Sequence, residues 1–492
     1  MRLSSLLILI ILILSAFLRL YHIREYMTFL GDEGRDMLVV KRMIVNGEFT
    51  LLGPITSIGR MYMGPVYYYM ISPFLALWNF DPVGPSIMVA VLSIATVYLI
   101  YFFCKKFFSA RSALIAALFY AISPLTVLYG RASWNPNVVP FFSMLFILSL
   151  SIASIKKKYP LLILAGFSLG ILIQLHYVTL LLGLTLILTF LLLIRPWPPL
   201  KYLIALALSF ILGYSPFLLF ELRHKFVNTQ NTVRFILENK KEDVSIPLYI
   251  SITAIVQDVT VRLFWRLLIV QSAELSKVFI LSIGGIIFWI FKTKKIGKNS
   301  RTALLIILIW FLSGLILFSL YRGITYDYYF GSLFPIPFII LGISISFLWK
   351  LKNSALKIVC FGFLLYLIIV NTLHSPLQSK PNNILTTTEK VSQFVFNRVN
   401  NRPYNFALMA LHNSDHAYRY FFDLWGNPPI TIQNPALDPE RKSVAPELWV
   451  ICEDKDCKPL GNPLWEIAGF GPAEIEEEWK IAQVTVFKLV HL

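Results

Sequence analysis

Charge is scarce in this sequence: of 492 residues only 14% are Asp, Glu, Lys or Arg, and 57% are hydrophobic. A soluble domain carries about a quarter charged residues, so the shortage excludes an ordinary soluble protein and leaves a polytopic membrane protein. Cysteines number only four, too few for a disulfide scaffold. The chain has no GxGxxG or Walker-type loop and no Ser-His-Asp arrangement, so nothing is on offer for a cytoplasmic nucleotide or nucleotide-sugar. Internal repeats and low-complexity segments are also absent. No small-x-small cleavage site follows the first apolar run, which reads as a retained anchor rather than a signal peptide.

What the sequence does have is long apolar runs. A span needs roughly 17–25 residues, and eleven runs qualify: 3–20, 84–103, 112–129, 136–155, 160–175, 177–194, 202–220, 278–291, 302–321, 328–349 and 355–373. With interfacial helices allowed for, about 11–13 membrane helices are expected. The net charge of +17 suggests nucleic acid until the positions are read. Lys105, Lys106 and Arg111 lie in one short loop, Lys156 to Lys158 in a second, and Arg195 with Lys201 in a third. Lys292, Lys294, Lys295, Lys298 and Arg301 lie in a fourth, and Lys350, Lys352 and Lys357 in a fifth. All five fall on the side of Arg2, as the positive-inside rule requires. No nucleic-acid partner is expected. The N-terminus is then cytoplasmic, and the loop 21–83 and the tail from His374 are extracytoplasmic.

That first outer loop is structured. Met37, Val40, Ile44 and Leu51 recur on one side of a helix from Asp32 to Val45. "MGPVYYYMISPFLALW", from Met63 to Trp78, is aromatic and broken by Pro73, and reads as an interfacial or re-entrant helix. From Pro376 the composition becomes that of a soluble domain, 376–492, set against a membrane domain of 1–375. "LTTTEKVSQFVFNRVN" and "DHAYRYFFDLWG" read as helices, and "NFALMAL", "ELWVICE" and "KIAQVTVFKLV" as strands. The alternation predicts a small α/β domain. Its Cys452 and Cys457 allow a disulfide, two free thiols or a metal site, though no second Cys or His pair accompanies them.

The chemistry is expected in "FLGDEGRDML". Charged groups are costly beside hydrocarbon unless they are paired or working, yet Asp32, Glu33, Arg35 and Asp36 stand together at the exit of the first span. On a helix Asp32 and Asp36 share a face, and Arg35 lies beside Asp32 at i+3. Capping a helix N-terminus needs one acid, and this cluster exceeds that need.

An outward Asp-Glu-x-Arg after a first membrane helix resembles the GT-C superfamily of integral membrane glycosyltransferases. The look is that of the branch containing protein O-mannosyltransferases and the lipid A aminoarabinose transferase. "GPVYYYM", "LYGRASWNPNVVPFF" and "YDYYFGSLFPIPFII" follow in the same order, and a variable outer C-terminal domain is also characteristic. The resemblance implies sugar transfer from a polyprenyl-phosphate donor, with Asp32 as base, Glu33 as its auxiliary and Arg35 on the donor phosphate. Two positions depart from the aminoarabinose branch. Met63 stands before Gly64-Pro65 in place of a lysine, and Asn135 and Asn137 stand where that branch has a second acid.

Such a transfer needs a carboxylate near the acceptor hydroxyl and cations for the departing phosphate. Phosphate leaves readily, so a second acid, as in glycoside hydrolases, is not required. Arg35, Arg60 and Arg131 are the outer-side cations. Arg131 could equally anchor the interface with Trp134, and Asn135 and Asn137 could bind sugar hydroxyls or cap a helix. His176 at an outer turn is structural or ligand-binding. Asp327 and Tyr328, in a tyrosine-rich turn, are further substrate-binding candidates, and Arg322 could pair with that acid or touch the donor phosphate. No cofactor or metal site is expected, and divalent-metal dependence is left open. The function expected is an inverting lipid-linked-sugar transferase on the outer face of a prokaryotic plasma membrane, its partners the lipid donor and membrane lipids. The alternatives are a transporter or flippase, whose ionisable groups would sit near the membrane midplane, and a scaffold presenting the tail domain.

Overall fold

The computed structural model describes residues 3–56, 61–238, 248–293, 296–321, 325–454 and 456–492. Arg60, Lys294, Lys295 and Arg322, named above, lie outside the described residues. The chain divides into two compact units. The first comprises Met1–Tyr21, Phe49–Ile71 and Ser86–Lys380, and the second His22–Glu48, Ser72–Pro85 and Pro381–Leu492.

The first unit is helical. Among the described residues seven helices are long and apolar enough to cross a membrane: Leu3–Leu20, Val83–Phe107, Asn135–Lys156, Leu200–Arg223, Ala273–Thr293, Lys298–Ser319 and Ser354–Leu373. The pair Asp327–Leu333 and Pro335–Trp349, bent by 54°, makes an eighth if taken as one span. The other three expected spans are shorter apolar helices, Ala110–Ile122, Leu161–Leu175 and Tyr177–Leu193. Their brevity has local causes. Pro124 forces Ser123 out of the helical region (ψ 124°), ending one helix and starting Pro124–Tyr129. His176 is extended (φ −165°) and separates the other two. Leu212, Leu281, Phe288 and Ile358 are mostly exposed on these helices, an outer surface suited to lipid. The protein is multi-pass.

Small residues let the apolar helices approach, since lipid supplies no hydrophobic force between them. A methyl group on Gly170 would stand 2.4 Å from the Phe210 carbonyl oxygen, so Leu161–Leu175 and Leu200–Arg223 touch backbone to backbone. Arg19, fully buried at the end of the first helix, is held by Ser93 Oγ (2.7 Å), Ser15 Oγ (3.0 Å) and the Ala121 carbonyl (2.9 Å). A buried guanidinium is tolerable only when its donors are satisfied in this way.

The second unit is built on a four-stranded sheet, β1 (Asn405–Met409), β2 (Glu447–Cys452), β3 (Ala473–Ile481) and β4 (Val484–His491), in the order β1-β2-β4-β3. β1 and β2 run parallel, and β4 is antiparallel to both of its neighbours. The helices Ile384–Val399 and His416–Leu424 flank it, and Val391, Val395, Tyr418, Phe422, Phe406 and Trp449 form a buried core between helices and sheet. The sequence reading anticipated one terminal strand where there is a hairpin. β3, "AEIEEEWKI", pairs with β4 alone among the described residues and is mostly exposed, so an edge strand can carry charges that hide its pattern. Cys452 and Cys457 are joined as a disulfide.

This unit takes in more than the tail. The helix Gly31–Asn46 from the first loop lies against His416–Leu424, and a methyl group on Gly34 would stand 2.4 Å from the Ala417 backbone. Phe29 is fully buried with its ring 5.7 Å from that of Phe421. Lys41 Nζ donates to Asp423 Oδ2 (2.7 Å), and Arg24 bridges Asp81 (2.6 Å) and Glu389. The acid-bearing helix is a core element of the α/β unit.

Candidate active site

The helix Gly31–Asn46 begins with an unusual division of labour between adjacent acids. Glu33, at the third helical position, turns back to accept from the Leu30 backbone N–H (3.1 Å) and the Thr28 hydroxyl (2.7 Å). That is half of a capping box, and it occupies both carboxylate oxygens. Glu33 is buried, and burial raises its pKa against the opposing hydrogen bond from Thr28. The Gly31 N–H, another orphan donor of the first turn, is taken by Asn413 Oδ1 at 2.8 Å. Asp32 is thereby released from capping, and its side chain is 52% exposed.

Arg35 lies between two aspartates. Its Nη1 donates to Asp32 Oδ1 (2.7 Å), while Nε (3.1 Å) and Nη2 (2.8 Å) converge on Asp36 Oδ1. Asp36 is fully buried, and its Oδ2 has no hydrogen-bond partner among the described residues. Burial pushes its pKa up to about 7, with the adjacent Arg35 opposing and Asp32 and Glu33 adding to the rise. From the packed helix, His416 faces the same charges. Burial lowers its pKa, Asp415 and Asp32 act against that, and Arg35 and Arg419 reinforce it. His416 Nδ1 is 3.0 Å from Ser414 Oγ, and Asn413 is anchored through Glu453, which also accepts from Tyr418 (2.7 Å). Ser414 and His416 escaped the sequence reading because only folding sets them beside residues some 380 positions earlier, as the Gly31–Asn413 bond does (|i−j| = 382).

The remaining candidates fall in the first unit. Arg131 is buried and donates to the carbonyls of Leu18 (2.6 Å) and Tyr21 (2.5 Å), closing the C-terminus of the first helix. Asn135 Nδ2 donates to the Leu175 carbonyl (2.7 Å). Asn137 Nδ2 donates to the Ala132 carbonyl (2.9 Å), while its buried Oδ1 has no partner among the described residues. Asn137 and Tyr328 line a narrow cleft with Tyr129, Thr126 and Ser93. His176 packs against Tyr328 and Tyr329 (ring centroids 6.2 and 5.0 Å), and Trp134 against Tyr328 (4.4 Å). "WNPN", His176 and the tyrosine turn therefore converge.

Asp327 completes this group through two arginines. Arg266 Nε donates to Asp327 Oδ2 at 2.7 Å, and Arg262 approaches Asp327 Oδ1 (3.6 Å) and Asp258 (3.4 Å). The helix Leu248–Phe264 continues as a wider π turn, Trp265–Ile269, ending at Val270 with φ 61°. A β-branched residue there is strained, and π turns recur at functional sites. Trp265 Nε1 caps the Val270 carbonyl (2.8 Å) and Asn371 the Leu268 carbonyl (2.8 Å). The i, i+4, i+8 spacing of Asp258, Arg262 and Arg266 was the available signal.

Among the described residues no group of three or more His, Cys, Asp or Glu side chains is gathered to hold a metal ion. A multi-pass helical unit, an α/β unit and an Asp-Glu-x-Arg helix at the exit of the first apolar helix have the organisation of the GT-C membrane glycosyltransferases. The solved structures agree in fold. ArnT from Cupriavidus metallidurans bound to undecaprenyl phosphate matches with a TM-score of 0.62 at 12% identity, over 99% of this chain and 97% of that one. The Archaeoglobus fulgidus oligosaccharyltransferase matches with a TM-score of 0.52 at 13% identity, over 90% of this chain and 67% of that one. Within this class, residues 63–220 match the family model of dolichyl-phosphate-mannose-protein mannosyltransferase. No curated protein matches the chain in sequence. The GT-C resemblance read from the motifs, and its mannosyltransferase and aminoarabinose-transferase branch, are borne out.

Proposed function

We propose that this protein transfers a sugar from a polyprenyl-phosphate donor to an acceptor hydroxyl, with Asp32 as the general base. The observation that carries the assignment is the contrast between the three acids. Glu33 is tied into the cap and Asp36 is buried, whereas Asp32 is half exposed and braced by Arg35. In the reaction the acceptor oxygen bonds to the anomeric carbon as that carbon's bond to the phosphate oxygen breaks. The hydroxyl proton passes to Asp32 and then to solvent, and polyprenyl phosphate leaves with the bonding pair. A single displacement inverts the anomeric centre. ArnT, of the same fold, holds undecaprenyl phosphate, which supports a lipid-phosphate donor here.

For the donor phosphate, Arg35 remains a candidate cation. In the first unit Arg266 is favoured over Arg131, because Arg131 caps carbonyls whereas Arg266 is 45% exposed on a one-oxygen contact with Asp327. The cleft residues Asn137 and Tyr328 are assigned to substrate. The same reading puts the reaction on the outer face of a prokaryotic plasma membrane, since the basic loops flank the opposite ends of the spans.

The test is to present the purified protein with a panel of polyprenyl-phosphate sugars and measure free polyprenyl phosphate, which transfer releases whatever the acceptor. Asp32→Asn should reduce release by about 10²–10⁴-fold, the usual worth of a positioned base, while the protein remains folded. If the variant keeps more than roughly a tenth of wild-type release, Asp32 is not the base. Translocation of intact donor without release would favour a flippase.

A further inference from the structure

We propose that Asp36 is a positioning residue: from within the α/β unit, its buried carboxylate fixes the guanidinium of Arg35 and so sets the orientation of Asp32. The inference rests on the reading of Asp32 as base and deepens it.

Three features of the geometry carry it. Two of Arg35's donors, Nε and Nη2, converge on one oxygen of Asp36, and the third contact, Nη1, reaches Asp32. A planar fork held at two points cannot swivel, so Nη1 is aimed and the half-exposed acid is held by its Oδ1. Second, Asp36 is fully buried and its Oδ2 has no hydrogen bond among the described residues. A buried acceptor left unmade is costly, and helix capping does not call for it, because Glu33 and Asn413 already serve the first turn. Third, the setting is rigid. Gly31 and Gly34 bring the helix against Ser414 and Ala417 with no room for a methyl group, and Lys41 clamps the next turns to Asp423.

The arrangement makes the site sensitive to pH. Asp36 shares its surroundings with Asp32, Glu33 and Arg35 on its own helix. From the packed helix His416 faces Arg35 and Asp32, with the Asp415–Arg419 pair beside it. Protonation of Asp36 at Oδ2 removes the charge opposite Arg35 and weakens both contacts at Oδ1. With that carboxyl titrating at about 7, activity should fall off below neutrality, well above the ordinary range of aspartate.

The experiment measures polyprenyl phosphate release from polyprenyl-phosphate mannose, or from whichever sugar of the panel reacts, between pH 5 and 9. Wild type should show an acid limb near pH 7. Asp36→Asn should lose that limb and release about 10- to 100-fold less at pH 8, as loss of orientation does. Asp36→Glu should recover part of both. Infrared difference titration gives an independent reading: a protonated-carboxyl band growing in below neutrality in wild type and Asp32→Asn, and missing in Asp36→Asn. A wild-type profile flat from pH 5 to 8 overturns the proposal without any variant. So does an Asp36→Asn protein that keeps the limb. If Asp32→Asn stays active, it is the assignment of the base that has failed; the infrared band still reports whether Asp36 titrates as described.

Discussion

Asp36 should destabilise the protein it serves, and by an amount that depends on pH. An aspartate that ordinarily titrates near 3.8 here titrates at about 7 because it is buried. Below pH 3.8 the folded and unfolded chains both hold the proton and the group costs nothing. As the pH rises, the unfolded chain releases its proton first, and the folded chain pays a growing penalty until it too ionises. At roughly 1.4 kcal/mol per pH unit, the full penalty above pH 7 is about 4 kcal/mol. Asparagine, of nearly the same shape, has no such dependence. The melting temperature of Asp36→Asn relative to wild type should therefore climb between pH 4 and 7 and level off above. For a unit of this size each kcal/mol is worth about 2–4 °C, so the gap should widen by roughly 10 °C. Intrinsic tryptophan fluorescence during heating in detergent or nanodiscs suits the measurement, because Trp449 is buried in the core of this unit. Glu33 and His416 titrate in both proteins and largely cancel in the difference. A gap independent of pH, or one that shrinks as the pH rises, would mean that Arg35 outweighs burial and that the account of Asp36 is wrong. A variant that gains stability while losing transfer would show stability traded for a braced base.

Three further outcomes are expected. Gly34→Ala should lower the melting temperature and transfer together, because its methyl group would lie 2.4 Å from the Ala417 backbone and overpacking costs about 1–3 kcal/mol; an unchanged melt would place the two helices further apart than described. Arg266→Gln should weaken binding of polyprenyl phosphate about tenfold or more, the worth of a charge-assisted contact, without affecting uncharged polyprenol. Arg131→Gln should instead lower stability, since it uncaps Leu18 and Tyr21; if lipid-phosphate binding responds only to Arg131, the two roles are reversed. A tag at Lys157 should be cytoplasmic and one after Leu492 extracytoplasmic, as the basic clusters require, and a cytoplasmic C-terminus would show a miscounted span.

How far the sequence could be read depended on how local the physics was. Apolar runs announce membrane helices because lipid imposes one solution on backbone polar groups, and every expected run became a helix, shortened where Pro124 or His176 breaks it. The Asp32–Arg35 pair is also local, fixed by i, i+3 geometry once the helix exists. β3 was hidden because an edge strand needs no apolar alternation, and Glu474, Glu476, Glu477 and Glu478 mask it. The two arginines on Asp327 were visible as a spacing, but the π turn that directs them depends on Asn371, about a hundred residues on (|i−j| = 103). Asp36 was the least legible. Sequence put it on the same helical face as Asp32 and suggested one shared environment, whereas Asp32 is half exposed and Asp36 is sealed. Two identical side chains one turn apart thus take opposite parts, one accessible and one buried, on a helix whose glycines pack against a segment from the other end of the chain. The glycines of "GDEGRD" were the clue. Gly31 and Gly34 are poor helix formers, and two of them in the first turn of a helix signal a close neighbour rather than a flexible loop.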